Sequence, residues 1–146
     1  MVVLNHHIVA AGDKDATAWF FADVLGLAPP IRLGEFAVLR VSDDTTLDFV
    51  DARGDIHQLH YAFLVTEVEF DQVFGRIRAR DLPYWADPFR KRSNEINEWD
   101  DGRGVYFDDP NGHLLEIITR PYGSGGTTAK HPHPLIAAEI ERESGG

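Results

Sequence analysis

Leu4-Asn5-His6-His7-Ile8-Val9-Ala10-Ala11-Gly12-Asp13 is echoed later in the chain by Gln58-Leu59-His60-Tyr61-Ala62-Phe63-Leu64-Val65-Thr66-Glu67, which sets His6 against His60 and Asp13 against Glu67. Each copy is followed by a strand-like run with one acid at its centre. In the first half this is Thr46-Leu47-Asp48-Phe49-Val50, and in the second Leu114-Leu115-Glu116-Ile117-Ile118. Two copies of one unit, each offering a histidine and a carboxylate, suit a divalent metal bound between them, because neutral imidazole and carboxylate are the donors such ions take.

Period-2 alternation predicts a strand near residues 3–11, with Leu4, His6, Ile8 and Ala10 on one face and His7 on the other. Asp13 is placed to cap a helix whose Phe20, Phe21, Val24 and Leu25 recur at helical spacing, and Gly26 supplies its stop. Pro29 and Pro30 break the pattern. Phe36–Val41 and Thr46–Val50 then read as strands joined by Ser42-Asp43-Asp44. The second half repeats this order. A strand at 58–65 leads to Thr66 and Glu69, a capping box opening a helix with the stripe Phe70, Val73, Phe74, Ile77. Strands follow near 83–86, 103–108 and 113–120, the last two joined by Asp109-Pro110-Asn111-Gly112. The polar stretch 86–101 has no counterpart in the first half, and loops of that length are commonly functional or mobile. From Tyr122 the composition turns glycine-rich, ending in a short amphipathic piece, Leu135 to Glu143.

A chain of 146 residues fits one domain, read here as residues 1–121 with modules of about 1–53 and 56–121, followed by a glycine-rich linker and tail over 122–146. The 43% hydrophobic and 11% aromatic content points to a folded body. With no cysteine, disulfides and thiolate sites are excluded and any metal must take N and O ligands. A formal charge of −10 would repel a phosphate backbone, which argues against nucleic acid as a partner. The basic cluster Arg90-Lys91-Arg92 reads as a solvated loop, and His131 and His133 as tail residues. No apolar run could span a bilayer and no leader pattern opens the chain, so a cytoplasmic protein without a membrane partner is expected.

On strand parity His60 shares a face with Ala62 and Leu64, and Glu116 with Leu114 and Ile118. Burying such groups unpaired would cost several kcal/mol each, roughly, so something must satisfy them. A cation would do so, and so would hydrogen bonds in a fold that has lost its metal. Two imidazoles and one carboxylate suit Fe or Mn, and a second carboxylate gives a set used by Ni, Zn or Co.

These residues resemble the vicinal oxygen chelate superfamily, which includes glyoxalase I, extradiol dioxygenases, fosfomycin-thiol transferases and metal-free bleomycin-resistance proteins. The resemblance spans residues 3 to about 121 and rests on Leu4-Asn5-His6, Gly12-Asp13, Val24-Leu25-Gly26-Leu27, His60-Tyr61-Ala62-Phe63 and Asp109-Pro110-Asn111-Gly112-His113-Leu114-Leu115-Glu116. It implies an α+β fold of paired βαβββ modules whose mixed sheet curls into an open cup with helices outside. It also implies one divalent metal ion held by His6, preferred to His7 on the family's spacing, with His60 and Glu116. Asp48 falls where glyoxalase I carries a fourth, longer Glu ligand. Tyr106 falls where dioxygenases and fosfomycin transferases keep a tyrosine acting on substrate, although a plain core aromatic would fit there too. His57 is no match for the dioxygenases' base histidine, because it alternates to the other strand face from His60. Trp85, Phe89 and Trp99 could form an aromatic lid over a small-molecule substrate. The resulting expectation is a metal-dependent enzyme acting on adjacent oxygens, extradiol-dioxygenase-like, in a homodimer. A glyoxalase-type isomerase or lyase, needing Asp48 on the metal, and a metal-free drug-binding resistance protein are the alternatives.

Overall fold

The computed structural model describes residues 1–145, which fall into two compact units, residues 1–59 with 109–113 and residues 60–108 with 114–145. In the first unit the order is β1 (His6–Ala11), α1 (Lys14–Leu25), β2 (Ile31–Leu33), β3 (Phe36–Arg40) and β4 (Thr46–Asp51). The sheet runs β1-β4-β3-β2, with β1 parallel to β4 and the other pairs antiparallel. Asp13 caps α1 by accepting from the Ala16 amide at 3.0 Å, and Gly26 ends it in the left-handed region at φ 72°. α1 buries Thr17, Ala18, Phe21, Ala22 and Val24, and packs on β3 and β4. The Phe21 ring meets Phe49 edge-on at 4.9 Å. Strand residues Val9, Ala11, Ala37, Leu39, Leu47 and Phe49 complete this core, and the alternate positions His6, Ile8, Val38 and Asp48 face away from it.

The second unit repeats the pattern with β5 (His60–Leu64), α2 (Glu67–Ala79), β6 (Tyr84–Trp85), β7 (Gly104–Asp108) and β8 (Leu114–Ile118). Its sheet runs β5-β8-β7-β6 with one parallel pair, the same topology as the first. The expected capping box is present, Thr66 accepting from the Glu69 amide at 3.1 Å while Glu69 accepts from the Thr66 amide at 2.9 Å. α2 contributes Phe70, Val73 and Ile77 to a core completed by Val105, Phe107, Leu115 and Ile117. Arg103 lies 4.3 Å from the Phe70 ring centroid and binds Glu67 and Asp71, tying the head of β7 to the first turns of α2. A βαβββ unit of α+β type therefore occurs twice. After a one-turn 3₁₀ segment at Trp99–Asp101 and the sheet, the chain ends in α3 (Pro134–Gly145). No helix among the described residues is long and apolar enough to cross a membrane.

Two differences from the sequence reading have plain causes. β2 has no periodic signal, since its three residues are all exposed, and Pro30 immediately before it reads as a break. β1 starts at His6 rather than residue 3, because residues 1–5 are exposed and only Asn5 and Leu4 carbonyls are held, by Thr46 and Thr45.

Candidate metal centre

The parallel register of β5 and β8 sets His60 opposite Leu114 and Ala62 opposite Glu116, so His60 and Glu116 are diagonal neighbours on one sheet face. Antiparallel pairing of β7 sets Tyr106 directly beside Glu116, and β6 sets Trp85 beside Tyr106. His60 Nε2 lies 3.1 Å from Glu116 Oε1. His60 Nδ1 lies 3.0 Å from the Leu114 carbonyl, which can only accept, so Nδ1 carries the donated hydrogen. In a neutral imidazole that leaves a lone pair on Nε2, aimed at a carboxylate oxygen. A proton or a cation must sit between them.

The spacing suits an ion. Two donors each about 2.1 Å from a metal and at right angles are about 3.0 Å apart. The Nδ1 hydrogen bond to a backbone carbonyl is the outer contact that fixes ligating histidines in the required tautomer. Glu116 is buried while the His60 side chain is 46% exposed, so the pair opens to solvent on the histidine side. Burial raises the Glu116 carboxyl above its ordinary range, against the opposing effects of the Tyr106 hydroxyl and the His60 ring. Burial first, then the charge and hydrogen bonding of Glu116, pushes the Tyr106 phenol far above its ordinary value. Tyr106 is therefore a donor at any working pH, and its ring stacks on His60 with centroids 5.8 Å apart.

His6 and Asp48 lie in the first unit. His6 Nδ1 is 2.7 Å from Asn5 Oδ1, which again leaves Nε2 as the free lone pair in the neutral ring. Asp48, half-buried, accepts from the Thr46 hydroxyl at 2.8 Å. Among the described residues no group of three or more His, Cys, Asp or Glu side chains is gathered that could hold a metal. The second unit thus supplies two donors, His60 and Glu116.

The three aromatics read as a lid separate. Trp99 meets Tyr106 edge-on at 6.1 Å, and Trp85 lies beside Tyr106 under the Arg90 guanidinium. Phe89 is 76% exposed with Lys91 over its ring. The basic cluster is organised around the buried Asp87, whose carboxylate accepts from the Phe89, Lys91 and Arg92 amides. Burial works against the Asp87 charge, but those amides outweigh it and hold its carboxyl below the ordinary range. Arg90 is engaged by Asp108 at 2.6 Å.

Two features escaped the sequence reading. His113 is fully buried in the first unit, its Nδ1 accepting from the Leu59 amide at 3.0 Å and its Nε2 donating to the Ala10 carbonyl at 2.9 Å. Both nitrogens are spent, so this histidine is structural. His133 lies in the wall of a crevice that contains Glu116, together with Trp99 and Tyr122; no periodicity in its proline-flanked segment could have shown this.

No family model matches the chain. Metallothiol transferase FosB of Shouchella clausii is 32% identical over 125 residues, covering 80% of this chain and 79% of the relative. Among solved structures, Oxidase ChaP-H1 is 56% identical with a TM-score of 0.83, covering 85% of this chain and 100% of that one. Oxidase ChaP-H2 is 58% identical with a TM-score of 0.83, covering 86% and 98%.

Proposed function

The chain belongs to the vicinal oxygen chelate superfamily, and from that premise we propose that it is a divalent-metal-dependent oxidase of dioxygenase type acting on a small aromatic molecule with two adjacent oxygens. The observation that carries this is the His60–Glu116 pair, with Nε2 facing Oε1 at 3.1 Å and Nδ1 committed to Leu114. Relatives support the class of chemistry. The two structures more than half identical to this chain are called oxidases, and FosB is named for a metallothiol reaction.

In this reading His60 and Glu116 hold the ion, with His6 the third donor that the family resemblance implies. A divalent ion held by these residues would supply Lewis-acid stabilisation of charge developing on substrate oxygens. The Leu114 carbonyl keeps the His60 ring oriented throughout. Tyr106, kept protonated by burial, is placed to donate a hydrogen bond to a substrate oxygen and to act as an acid. Trp85 and Trp99 flank Tyr106 and offer aromatic faces to a planar substrate. One carboxylate suffices here; Asp48 would join the donors only in the isomerase or lyase alternative.

Oxygen uptake with a panel of catechols and Fe(II)-loaded protein tests the proposal. Tyr106→Phe should slow turnover by about a hundredfold or more, the low end for a lost general acid, while leaving metal content unchanged. Turnover of thiol hemiacetals without oxygen would move the chain to the isomerase class. Tight binding of an aromatic with neither turnover nor metal requirement would make it a binding protein.

A further inference from the structure

Asp100 and Asp101 both adopt the left-handed backbone, at φ 58° and 59°, in consecutive non-glycine residues. Such a conformation is strained for a residue with a Cβ and persists only where the surroundings hold it. What holds it here is the chain after the second sheet. Asp100 accepts from the Gly123 amide at 2.7 Å and the Gly125 amide at 3.0 Å. Asp101 accepts from the Lys130 amide at 3.0 Å and the His131 amide at 2.8 Å. The Asp100 amide returns a bond to the His131 carbonyl at 2.7 Å. The glycines are used for close approach as well as for bending: a Cβ on Gly125 would lie 2.7 Å from Ala129 Cβ and 3.1 Å from Asp100 Cα. His131 also pairs with Glu98 at 3.4 Å.

This clasp delivers His133 to one place. Its ring meets Trp99 edge-on at 5.2 Å and Tyr122 at 5.5 Å. Trp99, Tyr122 and His133 line the crevice behind Glu116, whose cavity volume is about 10 Å³, the space of roughly one water. The His60 side chain is 46% exposed while Glu116 is buried, and the strap of residues 122–133 adds Tyr122 and His133 to a wall that Asn97, Trp99, Arg103 and Arg120 share.

We propose that residues 122–133 form a clasped wall of the candidate site, with Asp100 and Asp101 as positioning residues and His133 as the specificity-determining side chain that limits how far a ligand extends past Glu116. The substrate class this selects is a compact aromatic with adjacent oxygens and no bulky substituent on the far side of its ring. That substrate class rests on the function proposed above, whereas the clasp itself does not.

The experiment has two arms, both on the full chain. Amide hydrogen exchange at Gly123, Gly125, Lys130 and His131 reads the clasp. Protected amides are expected in the parent protein, with exchange at Lys130 and His131 at least tenfold faster in Asp101→Gly, which keeps the left-handed backbone and removes the acceptors. Asp101→Asn, which keeps one acceptor oxygen, should fall between. Free exchange at these amides in the parent protein overturns the wall. The second arm measures calorimetrically the binding of catechol and 4-tert-butylcatechol to metal-loaded parent and His133→Ala. The ratio of affinities should shift at least tenfold toward the bulky catechol in the variant, and an unchanged ratio overturns the specificity role. If neither catechol binds either protein, the proposed function and the specificity role fall together. The wall then stands or falls on exchange alone, upheld by protection that Asp101→Gly releases.

Discussion

The ring nitrogens of His60 and His113 are committed in opposite ways. His60 spends Nδ1 on a backbone carbonyl and turns Nε2 to a carboxylate, whereas His113 uses one nitrogen as acceptor and the other as donor, both to backbone. The first arrangement leaves a ligand position and the second leaves none. His113→Ala should therefore destabilise the fold by about 2–4 kcal/mol, from a small cavity and two unsatisfied backbone groups, while metal content per folded chain stays at the parent value. Chemical denaturation paired with metal analysis checks this, and a loss of metal from the folded variant would contradict it. Sequence parity set His60 on the face of Ala62 and Leu64 and Glu116 on that of Leu114 and Ile118, because the period of a strand is local, while the β5–β8 register is what joins the two faces. It could not tell a ligand histidine from a tying one, since that difference lies in partners such as Ala10 that are remote in the chain.

At the scale of elements, the irregular stretch after β6 owes its shape to one carboxylate. Asp87 gathers the amides of Phe89, Lys91 and Arg92 and so presents Arg90 to Asp108. The sign of its pH effect follows from its lowered folded-state pKa. Its contribution to stability is full above the ordinary aspartate range and is lost as pH falls through the folded value. An acid titration of stability should accordingly show a limb below about pH 4 that is flatter in Asp87→Asn, and an identical limb in that variant would contradict the assignment. Nothing in Ala86-Asp87-Pro88-Phe89 announces this role, because an aspartate that organises a loop has no periodicity to read. The helices were legible for the opposite reason. Asp13, Gly26, Thr66 and Glu69 are terminal signals whose partners lie within a few residues, and each does what its position implies. The strap after Tyr122 was not legible as a wall, since its glycines also fit a flexible linker and only the backbones of Asp100 and Asp101 decide otherwise.

For the whole molecule, the duplicated βαβββ unit was readable from the paired motifs, and both units share one strand order. The first unit carries Ile8, Ile31 and Leu33 at 52%, 65% and 65% exposure, and Val38 pairs with Ile31 in the same sheet. Exposed apolar side chains on one sheet are candidates for burial by a second copy, and a two-fold homodimer is the commonest closed assembly. Sedimentation at micromolar concentration should show a dimer that Ile31→Asp or Leu33→Asp weakens, whereas a strict monomer would count against it. The proposed chemistry requires the His60–Glu116 pair to bind an ion, so the most direct test is metal content of protein purified without a chelating tag. About one divalent metal per chain is expected, following the single-ion set of two imidazoles and a carboxylate. Glu116→Gln, which keeps size and removes charge, should cut that content sharply without loss of fold. Full metal occupancy in a folded Glu116→Gln protein would contradict metal binding by this pair.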